Sequence, residues 1–320
     1  MLRSAVVAVL WLAFVLPALA QSFPSRPVRI VVPWPPSGNV DITARTVAPA
    51  LSEALGGQVI VENRGGAGGT IGTAAVAKAP ADGYTLLLGS SGTITSGPAV
   101  LKNLPYDTRR DLVPVGAIQS VPLVLLAAPR TPVANVQEFL ALARSKPGAV
   151  SIASAGNGST NHLAIELLMR QGNIKLLHVP YKGGGPALTD LMGSQVQSMI
   201  DQLTSSIGHI RDGRIKALAL ASSERSPKLP DVPTFAEAGI RGAEAITFTG
   251  LFAPSGTPAP VLATLGAALR KAMSDPGVRS RYEAMGVEVM DMTQDQFAAH
   301  VREDYDKWQR VAREGNIVVQ

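Results

Sequence analysis

The stretch from Val31 to Arg45, which reads VVPWPPSGNVDITAR, decides both the fold and the first candidate site. An apolar strand ends at prolines, the chain turns through Ser37 and Gly38, and apolar residues then recur at helical spacing from Ile42 to Leu55. A small polar loop between a strand and a helix directs several backbone N–H groups at one point, where the helix dipole adds positive potential. The pattern predicts a site that holds an anion.

The N-terminus predicts export. Arg3 precedes an apolar run from Ala5 to Leu16, and Ala18-Leu19-Ala20 provides the small residues that signal peptidase requires. The run is shorter than the ~20 apolar residues of a membrane span, and no later stretch of sequence is long and apolar enough to serve as one. We therefore expect residues 1–20 to be a signal peptide, cleaved before Gln21, and the mature protein to lie in the periplasm.

Composition excludes several classes of protein. Charged residues make up 17% of the chain and hydrophobic residues 46%, with a formal net charge of +5 that is scattered along the sequence. Basic runs and interleaved aromatics of the kind that bind nucleic acid are absent from the sequence. The sequence has no cysteine, so there is no disulfide framework, thiol nucleophile or thiolate metal site. About three hundred mature residues predict a large core and two domains.

The organisation is α/β. Apolar, β-branched runs alternate with segments of helical period, which predicts parallel strands joined by crossover helices. Helix starts are indicated at Asn135, at Ser159 or Thr160, and at the capping box of Thr293 and Gln296. Pro49 predicts a kink or a break in the first long helix. The predicted strands are Val28–Val32, Val59–Val61, Tyr84–Leu88, Leu123–Ala128, Ser151–Ala153, Lys175–Val179 and Ile215–Leu220.

Two further strands predict how the chain divides. The run from Val121 to Ala128 reads as a strand that leaves one lobe, and Ile246–Ala253 reads as the return. We therefore expect residues 21–127 and 247–320 to form one lobe and residues 128–246 the other, with two strands crossing a hinge.

The residue spacing in this sequence does not match the known motifs for catalysis or cofactor binding. The glycine cluster at 65–72 has Ile71 where a dinucleotide fingerprint needs glycine. Ser90 and Ser91 do not fit a nucleophile elbow. The four histidines, His162, His178, His209 and His300, have no metal-ligand spacing. We expect no catalytic residue, no cofactor and no bound metal.

Loops at the ends of other strands complete the candidate site. The segment from Ser154 to His162 follows a strand and opens a helix, as the first loop does. Two helix N-termini that face each other across a cleft would hold a carboxylate from both sides. Tyr181 is a candidate wall of the cleft and Asp201 a candidate acceptor. The candidate ligand-binding residues are Trp34, Ser37, Gly38, Asn39, Val40, Asp41, Ser90, Ser91, Ser154, Ala155, Gly156, Asn157, Ser159, Thr160, Tyr181 and Asp201.

Five segments, in order along nearly the whole mature chain, resemble the tripartite tricarboxylate receptors, also called Bug receptors. They are PWPPSG at 33–38 with Asp41 and Arg45, VENRGGAGG at 61–69, VPYKGGGPALTDL at 179–191, LPDVPT at 229–234 with Glu237-Ala238-Gly239, and LFAPSGTP at 251–258. The chain departs from the family pattern at Ser37, where a second glycine is usual, and at Asn39. Further departures are Gln197-Ser198, and Gln202 and Thr204 within the Asp201–Thr204 segment.

The resemblance implies a two-lobed periplasmic-binding-protein fold of type II-like organisation. Each lobe is a mostly parallel sheet flanked by helices, and two hinge strands join the lobes. It also implies a small carboxylate held by backbone amides, small polar side chains and ordered water. In that interpretation the loop from Trp34 to Asp41 contacts the ligand from the first lobe. Ser154–Thr160, Tyr181 and Asp201 line the second.

The function that we expect is a non-catalytic solute receptor. It would be a monomer that binds a small organic carboxylate between its lobes and presents the closed form to a membrane permease or a sensor. Two alternatives remain open from the sequence: an exported hydrolase that acts on a carboxylate derivative, and a ligand-independent interaction protein.

Overall fold

A computed structural model describes residues 23–315 and residue 317; the predicted signal peptide lies outside these residues. Ten strands are present in the described part of the chain: β1 (Val28–Val32), β2 (Val59–Asn63), β3 (Thr85–Ser90), β4 (Leu112–Ala127), β5 (Ser151–Ser154), β6 (Leu177–Pro180), β7 (Ser198–Gln202), β8 (Lys216–Leu220), β9 (Ile246–Pro254) and β10 (Glu288–Val289).

The helices alternate with these strands, as predicted. They are α1 (Asn39–Leu55), α2 (Thr70–Ala77), α3 (Gly97–Val100), α4 (Thr108–Asp111), α5 (Val136–Ser145), α6 (Thr160–Gly172), α7 (Gly184–Met192), α8 (Leu203–Arg211), α9 (Ala259–Met273), α10 (Pro276–Ala284) and α11 (Gln294–Gly315). A 3₁₀ turn (Ala67–Gly69) precedes α2, and a π-helical turn (Gly92–Ser96) precedes α3. The caps predicted at Asn135 and Ser159 are confirmed, as is the capping box of Thr293 and Gln296.

The sheet has parallel outer parts and an antiparallel centre. Strands follow the order β2-β1-β3-β9-β4-β7-β5-β6, with β8 and β10 also paired to β4. β1 is parallel to β2 and β3, and β5 is parallel to β6 and β7. Every antiparallel pair among the described strands contains β4 or β9. The two central strands therefore connect two α/β units, which is the two-lobed fold.

β4 changes partners along its length. Leu112 to Pro122 pair with β9, whereas the strand pairs with β7 and β8 from Leu123 onward. Pro122 has no N–H to donate to a ladder, so it suits the point where the pairing changes. Pro122 is paired with Ile246, the first residue of β9. We propose these two positions as the lobe crossings, the first of them ahead of the boundary predicted after Ala127.

Helix α1 is unbroken, so of the kink or break predicted at Pro49 the break is wrong. Pro49 lies inside the helix on its exposed side, as does Arg45, whose carbonyl loses its N–H partner to the proline. Solvent can hydrogen-bond that carbonyl, which removes much of the cost of an internal proline. The opposite side of α1 buries Ala44, Val47 and Leu51 completely.

The C-terminal helix α11 reaches both lobes. Near its start Phe297 packs against Phe248 and Phe252 of β9. Near its end Trp308 is fully buried in a core that contains Leu123 and Phe139. Within the described residues, no helix combines the length and apolarity needed to cross a bilayer.

Candidate ligand-binding site

A cavity lies where three helix starts meet, and the space between protein atoms there, including its part open to solvent, is about 370 Å³. Half of the predicted residues line it: Trp34, Gly38, Asn39, Val40, Ser90, Ala155, Ser159 and Thr160. Gly92, Asn161, Gly184 and Gln202 also line it and were not predicted.

The first wall is the loop between β1 and α1. Ser37 has φ +69°, and its N–H donates to Asp41 Oδ2 at 2.9 Å. Asp41 Oδ1 accepts from Arg45 Nε at 2.9 Å and from Asn63 Nδ2 at 2.8 Å. Asn63 Nδ2 also donates to the Trp34 carbonyl at 3.1 Å. Asp41 thus braces the loop from behind, and its oxygens are already occupied by protein donors.

The charge of Asp41 is stabilised by these contacts. Burial disfavours the ionised carboxylate, but donation from Arg45, the Ser37 N–H and Asn63 outweighs it and holds the pKa of Asp41 below its ordinary value. The ionised carboxylate therefore keeps the loop in place at neutral pH.

The second wall is the loop between β5 and α6. Ser159 Oγ accepts from the His162 N–H at 3.2 Å and donates to the Gly156 carbonyl at 2.6 Å. The Gly158 N–H donates to His162 Nδ1 at 3.3 Å. Thr160 Oγ1 lies 3.3 Å from Ser96 Oγ in the π-helical turn of the first lobe. The loop is held by its own hydrogen bonds and touches the opposite lobe.

The third wall is the start of α7, which faces the start of α1. An ideal Cβ on Gly38 would lie 3.8 Å from the backbone nitrogen of Gly185, and one on Gly185 would lie 2.8 Å from the Pro36 carbonyl oxygen. A Cβ on Gly183 would lie 2.4 Å from Pro35 Cγ. These glycines allow the two backbones to approach closely across the cleft.

The other predicted residues do not line the cavity. Ser37 and Asn157 are exposed, and Gly156 forms the turn behind Ser159. Ser91 Oγ accepts from the Phe248 N–H, and Tyr181 donates to Asp190 Oδ2 at 2.7 Å. Asp41, Ser154 and Asp201 are buried behind the walls.

Asp201 is one of the buried residues that lie behind the cavity walls. It is fully buried, and Ser205 Oγ donates to its Oδ2 at 2.7 Å. Its Oδ1 accepts no hydrogen bond from the described residues and would lie 3.3 Å from a Cβ on Gly184. Burial raises the pKa of Asp201 to about 6. The carboxyl group supports the wall at Gly184 from behind.

Ser154 and His178 have the geometry of a nucleophile and a base but not the access. Ser154 Oγ lies 2.7 Å from His178 Nε2, and it also accepts from the Gly156 N–H at 3.1 Å. Ser154 is fully buried and outside the cavity lining. Burial, together with the stacked ring of His162, lowers the pKa of His178 to about 4. The pair fixes the loop and presents no reactive oxygen to the cavity.

Asn161 and Gln202 directly follow the predicted Thr160 and Asp201, and they were missed because their side chains meet only where α6 packs against β7. Asn161 Nδ2 donates to the Ile200 carbonyl at 2.8 Å, and Gln202 Nε2 donates to Asn161 Oδ1 at 3.3 Å. The amide at position 202, noted in the sequence only as a departure from the family pattern, was the available signal. Gly184 lies in the glycine run that opens α7, and Gly92 directly follows the predicted Ser91.

The lining is uncharged yet rich in donors. None of the described residues around the cavity has an ionisable side chain. Trp34 Nε1 and Asn39 Nδ2 are buried and find no acceptor among the described residues. The described part of the chain also contains no group of three or more potential metal ligands.

Comparison with known proteins identifies the family to which a chain with this fold and site belongs. The sequence model of the tripartite tricarboxylate transporter family receptors matches residues 43–317. The chain belongs to this family. Protein BugT of Bordetella pertussis is 38% identical over 93% of this chain and 92% of its own length.

Solved structures of receptors agree with the family assignment. The periplasmic binding protein BugD is 37% identical, covers 93% of this chain and 100% of its own, and has a TM-score of 0.90. MatC of Rhodopseudomonas palustris with bound malate is also 37% identical, covers 90% of this chain and 99% of its own, and has a TM-score of 0.87. The resemblance inferred from the sequence and the two-lobed fold are therefore confirmed, and these receptor relatives are binding proteins.

Proposed function

We propose that the protein is a non-catalytic periplasmic solute receptor. It binds a small organic carboxylate in the cavity between its lobes and delivers it, as a monomer, to a membrane permease. The malate-bound relative supports the ligand class, and the family supports the transport role.

The observation that carries the proposal is the pair of uncapped helix starts at the cavity. α1 begins after Gly38 and α7 begins after Gly183, and neither N-cap residue supplies a side-chain hydrogen bond. The first N–H groups of a helix have no partner within the helix. Together with the dipole, these donors favour an anion, and the residues that reach the cavity, Gly38 and Gly184, allow it to approach the backbone.

Binding is coupled to lobe closure because the walls belong to both lobes. Trp34 to Val40 lie before the first crossing, whereas Ser159 to Asn161, Gly184 and Gln202 lie in the inserted lobe. A carboxylate that contacts both walls binds the closed form more tightly than the open form. That difference in affinity drives closure.

The experiment is a thermal-shift screen of the mature protein, refolded once to remove carried-over ligand. The panel contains organic acids and their neutral amides. A ligand at ~100 times its dissociation constant stabilises the protein by roughly 2.7 kcal/mol. Stabilisation by an acid and not by its amide supports the proposal. If no acid shifts the melting temperature, the receptor proposal fails, and turnover assays then test the hydrolase alternative.

A further inference from the structure

Asn39 is a buried amide whose two ends have different surroundings. The residue is 4% exposed and lines the cavity. Its Oδ1 accepts from Gln119 Nε2 at 2.8 Å, whereas its Nδ2 has no acceptor among the described residues. Buried amide hydrogens rarely lack a partner, so an unpartnered donor beside a cavity indicates that a ligand supplies the acceptor.

Neighbouring hydrogen bonds determine which end of Asn39 faces the cavity. Thr43 Oγ1 donates its only hydrogen to the Asn39 carbonyl at 2.8 Å. Its lone pairs can therefore only accept, and they accept from Gln119 Nε2 at 2.7 Å. With its nitrogen placed in this way, Gln119 donates to Asn39 Oδ1. The Asn39 NH₂ group is the end that remains for the cavity.

The rest of the described lining offers no anionic group that would pair with a cationic group on the ligand; its side-chain acceptors are neutral hydroxyl and amide oxygens. None of the described lining residues is a carboxylate, and Asp201 lies behind Gly184. Trp34 Nε1 is a second buried donor without a described acceptor. An ammonium group placed beside Asn39 Nδ2 and Trp34 Nε1 would face two donors, whereas a hydroxyl or oxo oxygen there would accept from them.

We propose that Asn39, oriented by Gln119 and Thr43, donates to the ligand and selects organic acids without an amino group over the matching amino acids. Gln119 and Thr43 are positioning residues. The proposal rests on the proposed function, because it concerns the same cavity. It goes further by naming which substituent on the organic acid the cavity selects.

The test compares acids that share a carbon skeleton. Isothermal titration measures the dissociation constants of lactate and alanine, malate and aspartate, 2-hydroxyglutarate and glutamate, and phenyllactate and phenylalanine. We expect the hydroxy acid to bind more tightly in whichever pair binds. Asn39→Asp replaces the donor with an acceptor of the same shape, and the preference for the hydroxy acid should fall by about 10- to 100-fold.

Variants of the positioning residue separate orientation from folding. Thr43→Val removes the acceptor that fixes Gln119, so that both amides can turn over and the preference should fall. Thr46→Val is the matched control, because Thr46 Oγ1 makes the same kind of bond to the Ile42 carbonyl at 2.8 Å and does not contact Gln119. In an Asn39→Ala background, Thr43→Val should have no further effect on the preference. If Asn39→Asp does not fold, Asn39→Ala replaces it as the variant that removes the donor.

The outcomes distinguish the two proposals. If an amino acid binds at least as tightly as its hydroxy partner, or if Asn39→Asp leaves the preference unchanged, the inference about Asn39 is overturned while the receptor function stands. An equal loss of preference in Thr43→Val and Thr46→Val also overturns it. If neither this panel nor any acid of the thermal-shift screen binds, the proposed function fails and the inference fails with it.

Discussion

Replacing Gly185 with alanine tests whether close contact between α1 and α7 is part of the bound form. The added Cβ would lie 2.8 Å from the Pro36 carbonyl oxygen, 0.6 Å less than the 3.4 Å at which ordinary contacts begin. Gly185 has no left-handed backbone conformation, and alanine is the better helix former, so α7 itself tolerates the change. In the closure that we propose, the clash arises only when the lobes approach each other.

The expected magnitude follows from overpacking. Forcing one extra carbon into a packed contact costs about 1–3 kcal/mol. Because the clash is confined to the closed form, the whole cost opposes binding, and the dissociation constant should rise by roughly 5- to 150-fold. The free energy of unfolding of the ligand-free protein should not fall, because the open form relieves the contact.

Titration calorimetry with the acid found in the screen measures the effect, and urea unfolding without ligand measures stability. Gly208→Ala is the matched control: Gly208 is also a glycine in a short helix, α8, and a Cβ there meets no atom within 4 Å. Wild-type affinity in Gly185→Ala would refute the assignment of this contact to the bound form. Equal losses in both variants would refute the steric reasoning.

Three further predictions concern the walls of the cavity. Gly38→Leu should abolish carboxylate binding without lowering the melting temperature of the ligand-free protein; wild-type affinity would contradict the site. Asp41→Asn should lower the free energy of unfolding by about 1–3 kcal/mol at pH 7, because Arg45 and the Ser37 N–H lose an ionised acceptor. The pKa of Asp41 is lowered in the folded state, so urea unfolding should show this difference shrinking as the pH falls below about 4. Burial raises the pKa of Asp201 in the folded state to about 6, so the folded protein holds this proton more tightly than the unfolded chain does. The free energy of unfolding of the wild type should therefore fall from pH 4 to pH 6 relative to that of Asp201→Asn. The same pH dependence in both proteins would contradict the burial of Asp201 as a carboxylic acid.

The sequence predicted those strands and helices whose hydrophobic pattern is set by neighbouring residues. β1, the proline-rich loop and α1 follow from adjacent residues, and β5 followed by α6 repeats the same pattern. The first half of β4 was missed because Pro114, Gly116 and Pro122 interrupt its apolar pattern. Its ladder is irregular near Gly116, which is a property of the pairing with β9 and cannot be read from β4 alone.

The same distinction applies to the candidate site: residues placed by the local sequence were predicted, and residues placed by packing between elements were not. Residues of the cavity that follow a strand and open a helix, such as Gly38 and Thr160, were predicted from the loop pattern. Asp41 and Asp201 were predicted as ligand contacts, yet neither lines the cavity: Asp41 accepts from Ser37, Arg45 and Asn63, and Asp201 lies behind Gly184. Whether a carboxylate faces a cleft or the wall behind it depends on packing between elements that are distant in sequence. Asn161 and Gln202 come together for the same reason.

Helix α11 limits how the cleft can open. Besides the proposed crossings at Pro122 and Ile246, α11 forms a third link, with Phe297 packed in one core and Trp308 in the other. Pulling a buried tryptophan out of its core would expose 150–250 Å² and cost about 4–6 kcal/mol. We therefore expect the lobes to open by a motion that keeps Phe297 and Trp308 in their cores. The last described helix of the chain would then restrict the directions in which the lobes separate.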